Sequence, residues 1–185
     1  LWKGPGITVS ENVGGDLDTW SQTPLRADAF GGTFRYTTCV DPTDKNAPVA
    51  TATWYFADAD HANAAWSPSG LSYSVYAWIP EFKTGEPPRS RTATYKVYCG
   101  VSADPTATVT VDQSDRSTWG TWVKIGGSYF KPTKVTLSNT AIPEGSRNAS
   151  DYVVVADAVM IVPEGIDGLG YSSPVTDAEG PFAST

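Results

Sequence analysis

Short runs in which apolar and polar residues alternate recur along most of this chain, separated by clusters of Gly, Pro, Asp, Asn and Ser. Strand side chains point to opposite faces in turn, so a period of two predicts strands with one covered face. The strongest run is Leu71 to Ile79. Leu71, Tyr73, Val75, Ala77 and Ile79 form one face, and Ser72, Ser74, Tyr76 and Trp78 the other. The same reading predicts strands at Ile7 to Val9, Thr33 to Val40, Ala50 to Phe56, Thr92 to Cys99, Ala107 to Gln113, Thr121 to Ile125, Ser128 to Phe130 and Lys134 to Ser138. Gly126-Gly127, between two of these, is a hairpin signal. No window carries a long apolar period of 3.6, so little helix is expected.

Tyr152 to Val162 (YVVVADAVMIV) breaks the alternation, because both of its faces are apolar. A short buried helix would show the same hydrophobicity, but the β-branched content selects one strand covered on both sides. Asp157 sits in its middle. A buried carboxylate is costly unless hydrogen bonds, a cation or a metal meet it, so the expectation is a structural aspartate held by backbone N–H groups or a nearby amide or hydroxyl. Gln113 closes the apolar face of Ala107, Val109 and Val111 and is expected to hydrogen-bond Asp157 or backbone across the sheet.

About nine short strands with turns between them predict an all-β chain, an antiparallel β-sandwich. Residues 1–163 are read as one sandwich domain. Residues 164–185, rich in Gly, Ser, Pro and acidic residues, are read as a tail or a linker to a neighbouring domain. Seven Trp, nine Tyr and six Phe supply the core and leave aromatics to spare. The net charge of −7 argues against nucleic acid, which needs clustered Lys and Arg. No apolar run is long enough to insert in a membrane as a helix. The chain does not begin with Met and shows no signal peptide, and it is read as a mature or trimmed segment. Cys39 and Cys99 each lie near a predicted strand end. They are expected to form a disulfide, worth about 4 kcal/mol in the loop-entropy model, with two buried thiols as the other outcome.

Five segments occur in a recognisable order: Trp66 to Pro80 (WSPSGLSYSVYAWIP), Thr94 to Val97 (TYKV), Val109 to Gln113 (VTVDQ), Trp122 to Gly126 (WVKIG) and Val155 to Pro163 (VADAVMIVP). Over Ala50 to Pro163 this order resembles the golvesin C-terminal-like domain, the carbohydrate-binding-like domain of xanthan lyase. Ile125 stands where that family usually has Leu, and the Ala57 to Ala65 loop and both cysteines fall outside its pattern. The resemblance implies a jelly-roll sandwich of the galactose-binding-like kind, attached to a secreted or cell-surface bacterial protein and holding polysaccharide or cell-wall glycan. It makes Trp122 a core residue and makes a structural calcium conceivable.

Trp66, Tyr76 and Trp78 are the candidate sugar contacts. A saccharide ring presents an apolar C–H face to an aromatic ring and hydroxyls to polar partners, and Ser72 and Ser74 share the face of Tyr76 and Trp78. Each aromatic has a plain core reading as well. Asp16, Asp18, Asp58, Asp60 and His61 invite a metal reading, against a default of solvated loop groups. No cofactor is expected. With one His and no Gly-x-Ser-x-Gly or HExxH motif, nothing nominates a catalytic centre. Three functions follow: a non-catalytic carbohydrate-binding-like module, a structural or adhesive module without sugar binding, and a polysaccharide-active hydrolase.

Overall fold

Alternation of buried and exposed residues along each strand sets the layers of this molecule. The structure is a computed structural model that describes residues 20–56, 72–141 and 148–164, with the backbone of three short strands ahead of them. These residues form antiparallel sheets and contain no α-helix beyond short 3-10 turns. The first sheet holds β1 (Lys3–Gly4), β2 (Ile7–Ser10), β14 (Val159–Pro163), β7 (Ser72–Ile79) and β10 (Thr121–Lys124) in that order, with β11 (Tyr129–Phe130) also on β7. The second holds β3 (Gly14–Gly15), β6 (Thr51–Tyr55), β12 (Pro132–Ser138), β8 (Ala93–Cys99) and β9 (Ala107–Val111). A third joins β13 (Val153–Ala156), β5 (Arg35–Thr38) and β4 (Ser21–Gln22).

The core lies between the first two sheets, as expected for a sandwich-like fold. Val75, Ala77, Ile79, Val159 and Ile161 of one meet Ala52, Trp54, Tyr95, Val97, Val135 and Leu137 of the other. Trp54 and Tyr95 are essentially inaccessible and stack with ring centroids 6.4 Å apart. Burying such residues contributes about 2–3 kcal/mol each. The predicted strands at Ile7, Thr33, Ala50, Leu71, Thr92, Ala107, Thr121, Ser128 and Lys134 all have a counterpart here, and β1, β3 and β4 are additional.

Three expectations are corrected. Tyr152 to Val162 is two strands. β13 pairs with β5 in the third sheet, and β14 pairs with β2 and β7 in the first. Asp157 and Ala158 form the corner between them. Every residue from Val153 to Ile161 is nevertheless buried, as its apolar faces required. The second correction concerns Gly126-Gly127, which makes no hairpin. β10 and β11 lie end to end along β7, with Lys124 opposite Tyr76 and Tyr129 opposite Tyr73.

The cysteines are both free. Cys39 packs at the start of β8, where its N–H donates to the Tyr152 carbonyl and its thiol meets Ser90. Cys99 ends β8, and six strand steps from Ala93 to Cys99 span about 20 Å. A disulfide needs Cα atoms within about 7 Å, so the predicted bridge cannot close.

Candidate functional site

The segment from Thr23 to Phe34 folds into a tight loop because two glycines inside it take positive φ, Gly31 at 72° and Gly32 at 89°. Its base is zipped by Thr23 N–H to the Phe34 carbonyl at 3.0 Å and by Arg26 N–H to the Gly32 carbonyl at 2.7 Å. Asp157 holds its middle, since the carboxylate accepts from the Phe30 N–H at 3.0 Å. The Asp157 backbone carbonyl accepts from the Trp54 indole at 2.7 Å. The sandwich corner thus ties the core to the loop, which is the structural role expected for Asp157.

On one side the loop covers the outer face of β7. Trp78 lies opposite Trp122 of β10, and Tyr76 lies between Lys124 and Met160. Phe30 and Trp78 both meet Trp122 edge to face, with centroids 5.5 and 5.4 Å apart. The Trp78 indole donates to the Asp28 carbonyl at 2.9 Å. Tyr76, Trp78 and Trp122 are half-buried in this side cluster with Ala158, Met160 and Val162. Trp122 therefore packs outside the main core, and its indole N–H is buried with no acceptor among the described residues. Trp66 and the acidic and histidine candidates at 16, 18, 58, 60 and 61 lie outside the described residues.

On the other side the loop walls a cleft of about 260 Å³. Phe34, Tyr36, Val153 and Val155 form its floor, Thr23 and Pro24 one rim, and Gly85 to Pro87 the other. Its polar end is an ion network. Arg26 forms ion pairs with Asp28, at 2.6 Å, and with Glu86. Arg89 is 2% exposed. Its guanidinium donates to the carbonyls of Pro80 and Glu81 and lies 3.4 Å from Glu86. Both guanidinium groups stand over the Phe34 ring, at 4.9 and 5.9 Å from its centroid.

The electrostatics follow from this packing. Burial pushes the Asp28 carboxyl up, but hydrogen bonds and charge from Arg26 and from Lys83 outweigh it and hold Asp28 below its usual range. Burial is also the main influence on Arg89 and lowers its pKa, against the pull of Glu86. The network presents paired carboxylates and oriented donors beside an apolar floor. Such a lining can receive a small polyhydroxylated ring by stacking and hydrogen bonds.

Sequence reasoning missed Arg26, Glu86 and Arg89. Pro80 to Arg91 reads as a charged loop with Pro87-Pro88, and no local pattern in it marks Glu86 or Arg89 as held. Gln113 is placed as expected for one of its two alternatives, bonding the backbone of Val155 across the gap between sheets. Among the described residues no cluster of three or more His, Cys, Asp or Glu could hold a metal ion, and no helix is long and apolar enough to cross a membrane. No family model, curated protein or solved structure matches the chain.

Proposed function

We propose that this chain is a non-catalytic, carbohydrate-binding-like module of a secreted or cell-surface bacterial protein, built as a jelly roll and holding polysaccharide. The observation that carries the reading is the cleft between Thr23-Pro24 and Gly85-Pro87. It combines an aromatic and aliphatic floor at Phe34, Tyr36 and Val155 with a fixed polar end at Arg26 and Glu86. Its volume suits one sugar ring. The jelly-roll topology is supported by the way the chain crosses between sheets, from β6 to β7, β7 to β8, β9 to β10 and β11 to β12. The half-buried Tyr76 and Trp78 lie on the opposite side of the same loop and would offer a second, separate contact. A single cleft of this size gives weak affinity, and retention grows with several modules or repeated sugars.

A hydrolase fits less well. General-acid cleavage of a glycoside needs a carboxyl that keeps its proton near neutrality. Asp28 is driven the other way by Arg26 and Lys83. A structural or adhesive module without sugar binding is the second reading, and one observation favours it: Leu25, at the base of the loop, is 86% exposed. The test is a glycan array that includes bacterial wall polymers, with and without calcium, repeated with Tyr36→Ala and with Pro24→Trp, which fills the cleft from an exposed rim. Binding that both substitutions weaken is the expected result. An array without a hit, or hits indifferent to both substitutions, sinks the carbohydrate reading and leaves the adhesive one.

A further inference from the structure

The outward face of the β6–β12–β8–β9 sheet carries a pattern that the cleft does not use. Strand alternation turns Trp54, Val135, Leu137, Tyr95 and Val97 inward, where all are buried. Register fixes what remains outside. Tyr55, Lys134 and Tyr98 stand side by side in one row across three strands. Thr53, Thr136, Lys96 and Thr108 form the next row across four, in which Thr53 is buried and the row opens from Thr136 to Thr108. The third row, starting at Thr51, is Thr and Ser throughout. No Asp or Glu occupies an outward position in these rows, although the chain carries a net charge of −7. Tyr55 is 54% exposed, Lys96 is exposed, and the Lys134 ammonium lies 4.2 Å from the centroid of the Tyr98 ring.

We propose that this face docks an anionic polysaccharide strand, a ligand class that rests on the carbohydrate reading above and deepens it. Tyr55 and Tyr98 are separated by two strand spacings, about 10 Å, roughly the length of two sugar rings in an extended chain. Lys134 lies between them, placed for a carboxylate on the intervening ring, and Lys96 offers a second cation one row along. The surrounding hydroxyls match a polyhydroxylated partner. An acidic protein repels a polyanion overall, so the attraction is local and depends on these lysines.

The test is affinity electrophoresis of the whole chain in gels containing polygalacturonate or its fully methyl-esterified form, which keeps the backbone and removes the charge. Polygalacturonate is expected to retard the protein, and added salt to abolish the retardation. The K96Q/K134Q pair is expected to weaken it about five-fold. The methyl ester should retard less and be indifferent to the lysine changes. No retardation by polygalacturonate, equal retardation by both polymers, or no effect of K96Q/K134Q overturns the proposal. So does a dimer in sedimentation that K96Q/K134Q dissociates, because a second copy would then own the face. A neutral glycan that binds on the array and is lost in Tyr36→Ala, without polygalacturonate retardation, removes this face and spares the module reading.

Discussion

The side-chain amide of Gln113 pairs with the peptide group of Val155 as a neighbouring strand would. Its Nε2 donates to the Val155 carbonyl at 2.8 Å, and the Val155 N–H donates to its Oε1 at 2.9 Å. The same Nε2 lies 3.1 Å from the Tyr95 hydroxyl. β13 has β5 on one side. On its other side Pro88 and Ser90 bond Val153, and Gln113 continues that edge where backbone runs out. One side chain thereby satisfies a buried peptide at the seam between sheets.

Gln113→Leu keeps the volume and removes both bonds. It strands a buried N–H, a carbonyl and the Tyr95 hydroxyl, and unsatisfied buried groups cost about 1–3 kcal/mol each before relaxation. The expected loss is about 3 kcal/mol, read as a lower urea midpoint. Gln113→Glu is expected to be at least as damaging near neutrality, since a carboxylate cannot donate to the Val155 carbonyl, and to recover partly in acid when protonated. A midpoint for Gln113→Leu within 0.5 kcal/mol of the parent, on the order of measurement scatter, would contradict the seam role.

Asp157 acts on the other side of that seam. Removing its carboxylate in Asp157→Ala frees the Phe30 N–H, and with it the loop that covers Trp78 and Trp122. The expected result is a loss of about 1–3 kcal/mol, faster hydrogen exchange at Phe30, and altered tryptophan fluorescence. Asp157→Asn keeps an acceptor oxygen and should retain most of the exchange protection. If Asp157→Ala leaves the Phe30 amide as protected as before, the loop is held by something else.

How much of this was legible in the sequence depends on which signal each residue carries. Period-two alternation gave β7 and β8 nearly to the residue, because one face of each is fully buried. It could not show the break at Asp157, because a segment buried on both sides has no alternation to lose its phase. Gln113 was legible as a polar residue at the end of an apolar face. Arg26 and Arg89 were not, because a guanidinium buried by contacts far apart in the chain looks the same as a solvated one. Gly126-Gly127 promised a turn and does bend the chain, but a dipeptide does not say whether the next strand doubles back or runs on. Spacing alone likewise could not tell that β8 lies between the two thiols.

Cys39 and Tyr95 predict the alkaline limit of the fold. Burial pushes the Cys39 thiol from 9.0 up to about 12, against a weak pull from Ser90, and burial raises the Tyr95 phenol as well. Both groups ionise more readily unfolded, so their contribution is intact below pH 9 and lost as pH rises toward 12. The urea midpoint is expected to fall above pH 9, by the equivalent of about 2–3 kcal/mol at pH 10.5. Cys39→Ala should shrink that fall but not abolish it, because burial also raises the Cys99 thiol. Thiol titration should find two free groups on unfolding, and reductant should leave the midpoint unchanged. A reductant-sensitive midpoint would restore the disulfide.

Gly126 is where β10 gives way to β11, and only a glycine suits it. Its φ is 125°, a region open to glycine and strained for any L-residue. A Cβ there would also fall on the Tyr129 hydroxyl and 2.8 Å from its Cζ. Tyr129 cannot swing away freely, because its ring is 9% exposed in the core. Its own hydrogen bond, to the Ile125 carbonyl, is long at 3.4 Å. Tyr129→Phe should therefore be nearly neutral, while Gly126→Ala should cost more than about 2 kcal/mol. The two causes separate in the double variant. Removing the hydroxyl relieves the worst contact but neither the Cζ contact nor the backbone strain, so Gly126→Ala with Tyr129→Phe should recover only part of the loss. Full recovery would assign the whole effect to the hydroxyl, and no recovery would assign it to φ.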